Sequence, residues 1–337
     1  MRHYGEDRYR FRNYCGNFGV IMWPDLTGYA HFEPCLCVGL DLAWYGGSKG
    51  NPDSQYDCVV GCLLEASGGS SELNLVSVPL PNRDPEALET STAIERLIGA
   101  YQGRFNRIVI GLDAPLQSTQ IIVPPRQKAW RAADHIFSQS RMAIDRLHGG
   151  SSGWHPRLQP GAPLAPRVLH LLERLKRSQG LSPWTQDEAA ADRLILEAFP
   201  AEVIWTAKRL GLYESQWSSS EIKRYKMKGR PRLEAWMVRD VVNTVLKPLG
   251  PLAHAPLLWS KMVDHLIDWL LEDRARVMGG DYRGGKLLDD AVDSVLCLLV
   301  AMSYASGGAH VWFDQAQPDD GHIMGPGTLT LQTASPK

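Results

Sequence analysis

The sequence predicts an α/β fold built on a mixed sheet with flanking helices, and three observations predict it. Apolar, strand-like runs and one helical segment follow the order β-β-β-α-β over residues 35–116. A single acid interrupts the first of those strands and another ends the fourth, at Asp41 and Asp113. Far downstream, residues 287–308 form one strongly apolar helix with acids at its start.

The elements follow in chain order. Residues 1–33 open with MRHYGEDRYRFRNYCG, charged and aromatic and without the apolar core of a signal peptide. They read as an extension ahead of the fold, either a poorly ordered arm or an added edge element. CLCVGLDLAW (35–44) is the first clear strand, an apolar run broken only by Asp41. YDCVVGCLLEA (56–66) and ELNLVSVPL (72–80) come next, with the turn-rich SGGSS between them. Three strands on short polar connections predict an antiparallel meander.

In DPEALETSTAIERLIGAYQG (84–103), Asp84 is a helix cap and Pro85 takes the first helical position. Leu88, Ile94, Leu97, Ile98 and Tyr101 then keep helical spacing. NRIVIGLDAPL (106–116) is a strand of the fully buried type, ended by Asp113-Ala-Pro115. Beyond it lie a basic helical stretch and a Gly/Ser/Pro-rich loop, then a helix at 166–179 and a fifth strand, DRLILEAFP (192–200). Residues 201–285 read as mostly helical, and a tail follows the apolar helix of 287–308. One domain over 34–331, with insertions at about 117–190 and 206–285, accounts for this order.

Composition bounds the function. Hydrophobic residues at 44% and charged residues at 22% exclude wholesale disorder. Lysine plus arginine number 36 against 37 acids, a formal charge of −1, which excludes binding to nucleic acid by bulk charge but leaves room for a local basic patch. Apolar runs fall short of a membrane span. Six cysteines in 337 residues are too few for a disulfide scaffold, and several sit in apolar runs as small hydrophobes, so a reducing, cytoplasmic setting is expected. Cys35-x-Cys37 and Cys58-x-x-x-Cys62 could be put forward as a zinc site, but no Cys-x-x-Cys or His-x-x-x-His partner supports it.

The acids carry the chemistry. Asp41 lies within the first strand, Asp113 ends the fourth and Glu197 stands near the end of the fifth, while Asp289, Asp290 and Asp293 open the last apolar helix. Burying a carboxylate in a sheet is costly unless a positive charge pairs with it. Converging carboxylates repel, so a cation would sustain the cluster, and hard oxygen ligands suit Mg²⁺ or Mn²⁺. Asp290 and Asp293, three apart, share a helical face. Taken singly the acids have plainer readings. Asp113 before Ala-Pro can simply end a strand, Asp289 and Asp290 can cap a helix, and Glu197 can be a rim residue. Asp41, in what reads as a central strand, is the hardest to explain that way.

The stretches VGLDLAW (38–44), IGLDAPL (110–116), RAAD (131–134), EAFPAE (197–202), YKMKGR (225–230), DDAVDSVLCLLVA (289–301) and DDGHIMGP (319–326), in this order, span most of the chain. In them the chain resembles the predicted RNase H-like nucleases catalogued as domain of unknown function 429, within the ribonuclease H-like superfamily. The resemblance implies a β-β-β-α-β-α-β-α mixed sheet with flanking helices and long, mainly helical insertions. It implies a metal-binding centre of Asp41, Asp113 and Asp293, with Asp290 and Glu197 as additional ligands or activators of the attacking water. Leu42 stands where small residues are common in that family, and Ser294 where alanine is usual.

KRYKMKGRPR (223–232) packs six Lys/Arg into ten residues, near Trp217, Tyr225 and Trp236. Such a block can neutralise phosphates while aromatics stack on bases, and it can equally be a solvated face. Lys226, Lys228 and Arg230 lie in the family-like stretch and are the expected substrate contacts. Arg131 follows the Asp113 strand and either approaches substrate or pairs with Asp134, three residues on. His148, His155 and His170 carry no distinguishing signal, and neither a nucleophile elbow nor a GxxxxGK[ST] phosphate loop is present.

The expected function is a divalent-metal-dependent nuclease, with two Mg²⁺ or Mn²⁺ ions among the aspartates and nucleic acid as substrate. A weakly catalytic nucleic-acid-binding module of the same fold is the main rival. An actin-like kinase is the lesser one, because Asp41-Leu-Ala-Trp44 lacks the Asp-x-Gly that reading wants. Carboxylates within metal-bridging reach of one another favour the nuclease.

Overall fold

The computed structural model describes residues 20–22, 34–42, 56–64, 73–79, 90–116, 133, 164–185, 187, 189, 191–209, 238–242, 264–272, 289–313, 317 and 319–327. They form a mixed α/β structure whose central sheet has six strands and more parallel than antiparallel pairings.

The strands of that sheet are β2 (Cys35–Asp41), β3 (Tyr56–Leu64), β4 (Leu73–Pro79), β5 (Arg107–Asp113), β6 (Ser182–Pro183) and β7 (Arg193–Glu197). Their order is β4-β3-β2-β5-β7-β6. The first three pair antiparallel as a meander, as the short polar connections predict. β5 then adds parallel to β2, on its free side, and β7 adds parallel to β5. A parallel step requires a crossover. The chain supplies α1 (Thr90–Ala100) before β5 and α2 (Leu164–Gln179) before the edge pair β6 and β7.

Every residue of β2 is buried, which is why its run is continuously apolar instead of alternating. The two faces nevertheless separate cleanly. Leu36, Val38 and Leu40 of β2, with Ile108, Ile110 and Leu112 of β5, join the core under α1 and α2. Cys35 and Cys37 of β2 and Val109 of β5 face the opposite core, beneath α4 (Asp289–Ala305). The same face takes Cys58 and Cys62 of β3. Burial, with Cys35 nearby, pushes the Cys62 thiol up to about 12, and burial holds Cys37 well above its usual range. Among the described residues none of these thiols belongs to a group of three or more side chains that could hold a metal ion. They pack, as the apolar runs around them imply.

α3 (Pro200–Arg209) follows β7 directly. The expected strand over 192–200 is shorter than its apolar run, because Pro200 opens a helix, where a missing N–H costs nothing. At the far end of α4, Gly307 takes a left-handed φ of 74°, with Gly307 N–H bonded to Tyr304 O and Gly308 N–H to Ser303 O. This double closure stops the helix in the manner of a Schellman cap.

A second, three-stranded sheet comes from β1 (Val20–Met22), β8 (Ala309–Trp312) and β9 (Ile323–Pro326), in the order β1-β8-β9. Residues 20–22 of the N-terminal segment pair antiparallel with β8 at the edge of this sheet, and the rest of 1–33 lies outside the described residues. The tail, for which the sequence suggested no strands, supplies the other two. Met324 of β9 also makes a parallel bridge to Ala198, tying this sheet to the end of β7. Among the described residues no helix is long and apolar enough to cross a membrane.

Candidate metal centre

Asp41 and Asp113 end adjacent parallel strands and are direct register partners, so both carboxylates emerge at the same end and on the same face of the sheet. Two residues earlier in each strand stands a glycine, and Gly39 and Gly111 are register partners too. A Cβ at Gly39 would fall inside the contact shells of Ser294 O and Leu298 N, and one at Gly111 inside that of Cys297 O. The pair leaves a bare strip on which the backbone of α4 lies against the sheet. That close seating carries Asp293, one residue before Ser294, over the ends of β2 and β5.

The result is a three-carboxylate group. Asp41, Asp113 and Asp293 each offer one oxygen, and these oxygens lie within 4.8 Å of one another. Asp41 and Asp293 are buried, and Asp113 is the half-buried member through which solvent reaches the group. Like charges so placed raise one another's free energy, the more so where burial reduces screening by solvent. Oxygen-only donors at this spacing suit a hard divalent cation.

Glu197 is not in this group. It aligns with Leu112, one position short of Asp113 in the register, and its Oε2 accepts the Leu116 N–H at 2.9 Å. Asp290 lies in the first turn of α4, and its side chain is outside the described residues. Lys226, Lys228, Arg230 and Arg131, with the whole basic block of 223–232, also lie outside them, as do His148 and His155. His170 is exposed on α2. RAAD and DDGHIMGP, far apart in sequence, meet through Ala133 N–H and Asp320 O at 3.3 Å.

Sequence reasoning passed over the two glycines. The signal was there: Gly-Leu-Asp occurs twice, in VGLD and IGLD, each time at the end of a buried strand. Gly39→Ala is expected to lower stability by about 1–3 kcal/mol or more, the usual range for overpacking a close contact. The control is Gly99→Ala at an exposed position of α1, where a Cβ meets nothing within 4 Å. That change is expected to stabilise by up to about 1 kcal/mol, from helix propensity alone. Urea unfolding of both variants measures the contrast, and equal effects would refute the close-seating role.

A search of family models, of curated proteins and of solved structures finds no match to this chain.

Proposed function

We propose that this chain is a divalent-metal-dependent phosphodiesterase of the ribonuclease H-like fold that cleaves nucleic acid. The observation that carries the reading is the meeting of Asp41, Asp113 and Asp293, from two strands and a helix remote in sequence, within 4.8 Å. The strand order supports the fold assignment. It sets the first and fourth strands of the β-β-β-α-β segment side by side, so that the acid each carries becomes the other's neighbour. The resemblance asks this of its metal-binding residues.

The three aspartates would hold two Mg²⁺ or Mn²⁺ ions, whose chemistry when bound is to activate a water and stabilise the leaving oxygen of an in-line displacement. The protein's own contribution is pre-organisation. Asp41 and Asp293 are fixed by burial in the sheet and in α4, and Asp113 stands at the accessible edge where a phosphate would arrive. The five described cysteines are buried thiols packed in one apolar core, as small hydrophobes of a reducing compartment such as the cytoplasm would be.

The test is a cleavage panel of single-stranded, duplex and junction DNA and RNA with Mg²⁺ or Mn²⁺, using Asp41→Ala as control. Metal-dependent cleavage that disappears in the variant is expected. Salt-sensitive binding without turnover would favour the binding-module reading, and cleavage unchanged in both Asp41→Ala and Asp293→Ala would sink the assignment.

A further inference from the structure

We propose that Glu197 is a positioning residue that tethers the turn carrying Asp113, and that it is not a metal ligand; this rests on reading the three aspartates as the metal centre. Strand parity comes first. In β7, Leu194 and Leu196 point into the core beneath α4, and Ala198 just beyond the strand does the same, while Ile195 points into the core under α1 and α2. Alternation places Glu197 with Ile195, on the face away from Asp41, Asp113 and Asp293. Its bond agrees: Leu116, whose N–H Glu197 accepts, packs against the same α1-side core.

The tether acts on a short piece of chain. Asp113 is the middle residue of a three-residue turn closed by Ala114 N–H to Leu112 O at 2.9 Å. Ala198 N–H reaches the same Leu112 carbonyl at 2.9 Å, fixing the start of the turn to β7. Pro115 has no N–H to give. Leu116 therefore supplies the next anchor, and the Glu197 carboxylate takes it at 2.9 Å. Backbone donors bond carboxylates more strongly than neutral acceptors. With both ends pinned to β7, Asp113 is aimed across the sheet end although it is the least buried of the three aspartates.

Two variants of the full-length protein separate the roles. Glu197→Gln keeps the length and an accepting oxygen, and Glu197→Ala removes both. The readouts are hydrogen exchange at the Leu116 amide in metal-free protein and calorimetric titration with Mn²⁺, with Asp113→Asn alongside. Glu197→Ala is expected to expose the Leu116 amide and weaken Mn²⁺ binding by about 10–100-fold, the range for residues that orient ligands. Glu197→Gln is expected to keep the amide protected and bind Mn²⁺ close to wild type. If Glu197→Gln weakens Mn²⁺ binding as severely as Asp113→Asn, Glu197 is a ligand and the proposal is overturned. If Asp113→Asn leaves Mn²⁺ binding intact, the metal-centre reading is what fails. The exchange arm then still decides the tether, and an amide that stays protected in Glu197→Ala overturns it.

Discussion

Asp293→Asn is expected to abolish Mn²⁺-dependent cleavage while leaving the metal-free protein at least as resistant to urea as wild type. The two halves have one cause. Three carboxylate oxygens within 4.8 Å repel one another. Unit charges at such a distance cost about 3–4 kcal/mol per pair at an effective dielectric near 20. Asparagine is isosteric, keeps one oxygen and offers an amide N–H₂ to the remaining carboxylates, so the metal-free fold is relieved of repulsion. With metal the balance reverses. A ligand that binds only the folded state at ~100 times its dissociation constant adds about 2.7 kcal/mol. The variant, short of one charged ligand, forfeits that gain. Cleavage is expected to fall by more than the ~100-fold that loss of a ligand-orienting group costs. Urea titrations in EDTA and in Mn²⁺, run beside the cleavage assay, measure all of this. A variant that unfolds more easily in EDTA, and that Mn²⁺ stabilises as much as wild type, would make Asp293 a structural residue.

The legible and illegible parts of the site divide by the range of the interaction that creates them. Asp41 and Asp113 announce themselves because a buried strand has no local reason to hold an acid, and each ends a continuous apolar run. Asp293 is legible for the same reason, near the start of a helix buried on all sides from Ala291 onward. Register is a different matter. That Asp41 opposes Asp113, with Glu197 one step out of line, follows from pairings that composition does not encode. A one-residue difference in a strand sends a side chain to the other face. Glu197 therefore reads as one more acid at a strand end, yet its carboxylate serves the α1 side.

Short elements were lost for another reason. β8 and β9 have four residues each, too few for a period to show, and the sheet they form packs against α3, α4 and the end of β7, all remote in sequence from at least one of its strands. The expected helix start at Asp84-Pro85 lies outside the described residues, which take the helix up at Thr90. There the Thr90 hydroxyl bonds the buried Asp57 carboxylate of β3. Asp57 shows how an acid in a strand can be structural instead of chemical. It shares the parity of Gly61, above which Leu97 of α1 sits, so its face is the α1 face and its partner is the helix start.

The second large effect concerns that late sheet. Glu202, in the first turn of α3, is fully buried and gathers three donors on Oε1: His310 Nε2 at 2.8 Å, Thr206 Oγ1 at 2.7 Å and Trp312 Nε1 at 3.2 Å. The other nitrogen of His310 meets Gly327 O at 2.9 Å. The imidazole is thus held between a carboxylate and a carbonyl, with both ring nitrogens in hydrogen-bond contact. Gly325 is part of the device, because a Cβ there would strike both Glu202 Oε2 and His310 Nε2. The bonds fasten β8 and β9 to α3, and through Met324 and Ala198 the sheet braces the end of β7 beside Glu197. His310→Ala is expected to cost about 3–5 kcal/mol of unfolding free energy, the range for stranding one member of a buried pair. Glu202→Gln alters the same contact from its other side, so the double variant is expected to lose clearly less than the sum of the two single changes. A double-mutant cycle in urea measures that coupling, which for contacting groups runs to about 0.5–3 kcal/mol. Losses that simply add would mean that Glu202 and His310 hold the sheet independently, and that the pair is not the fastener.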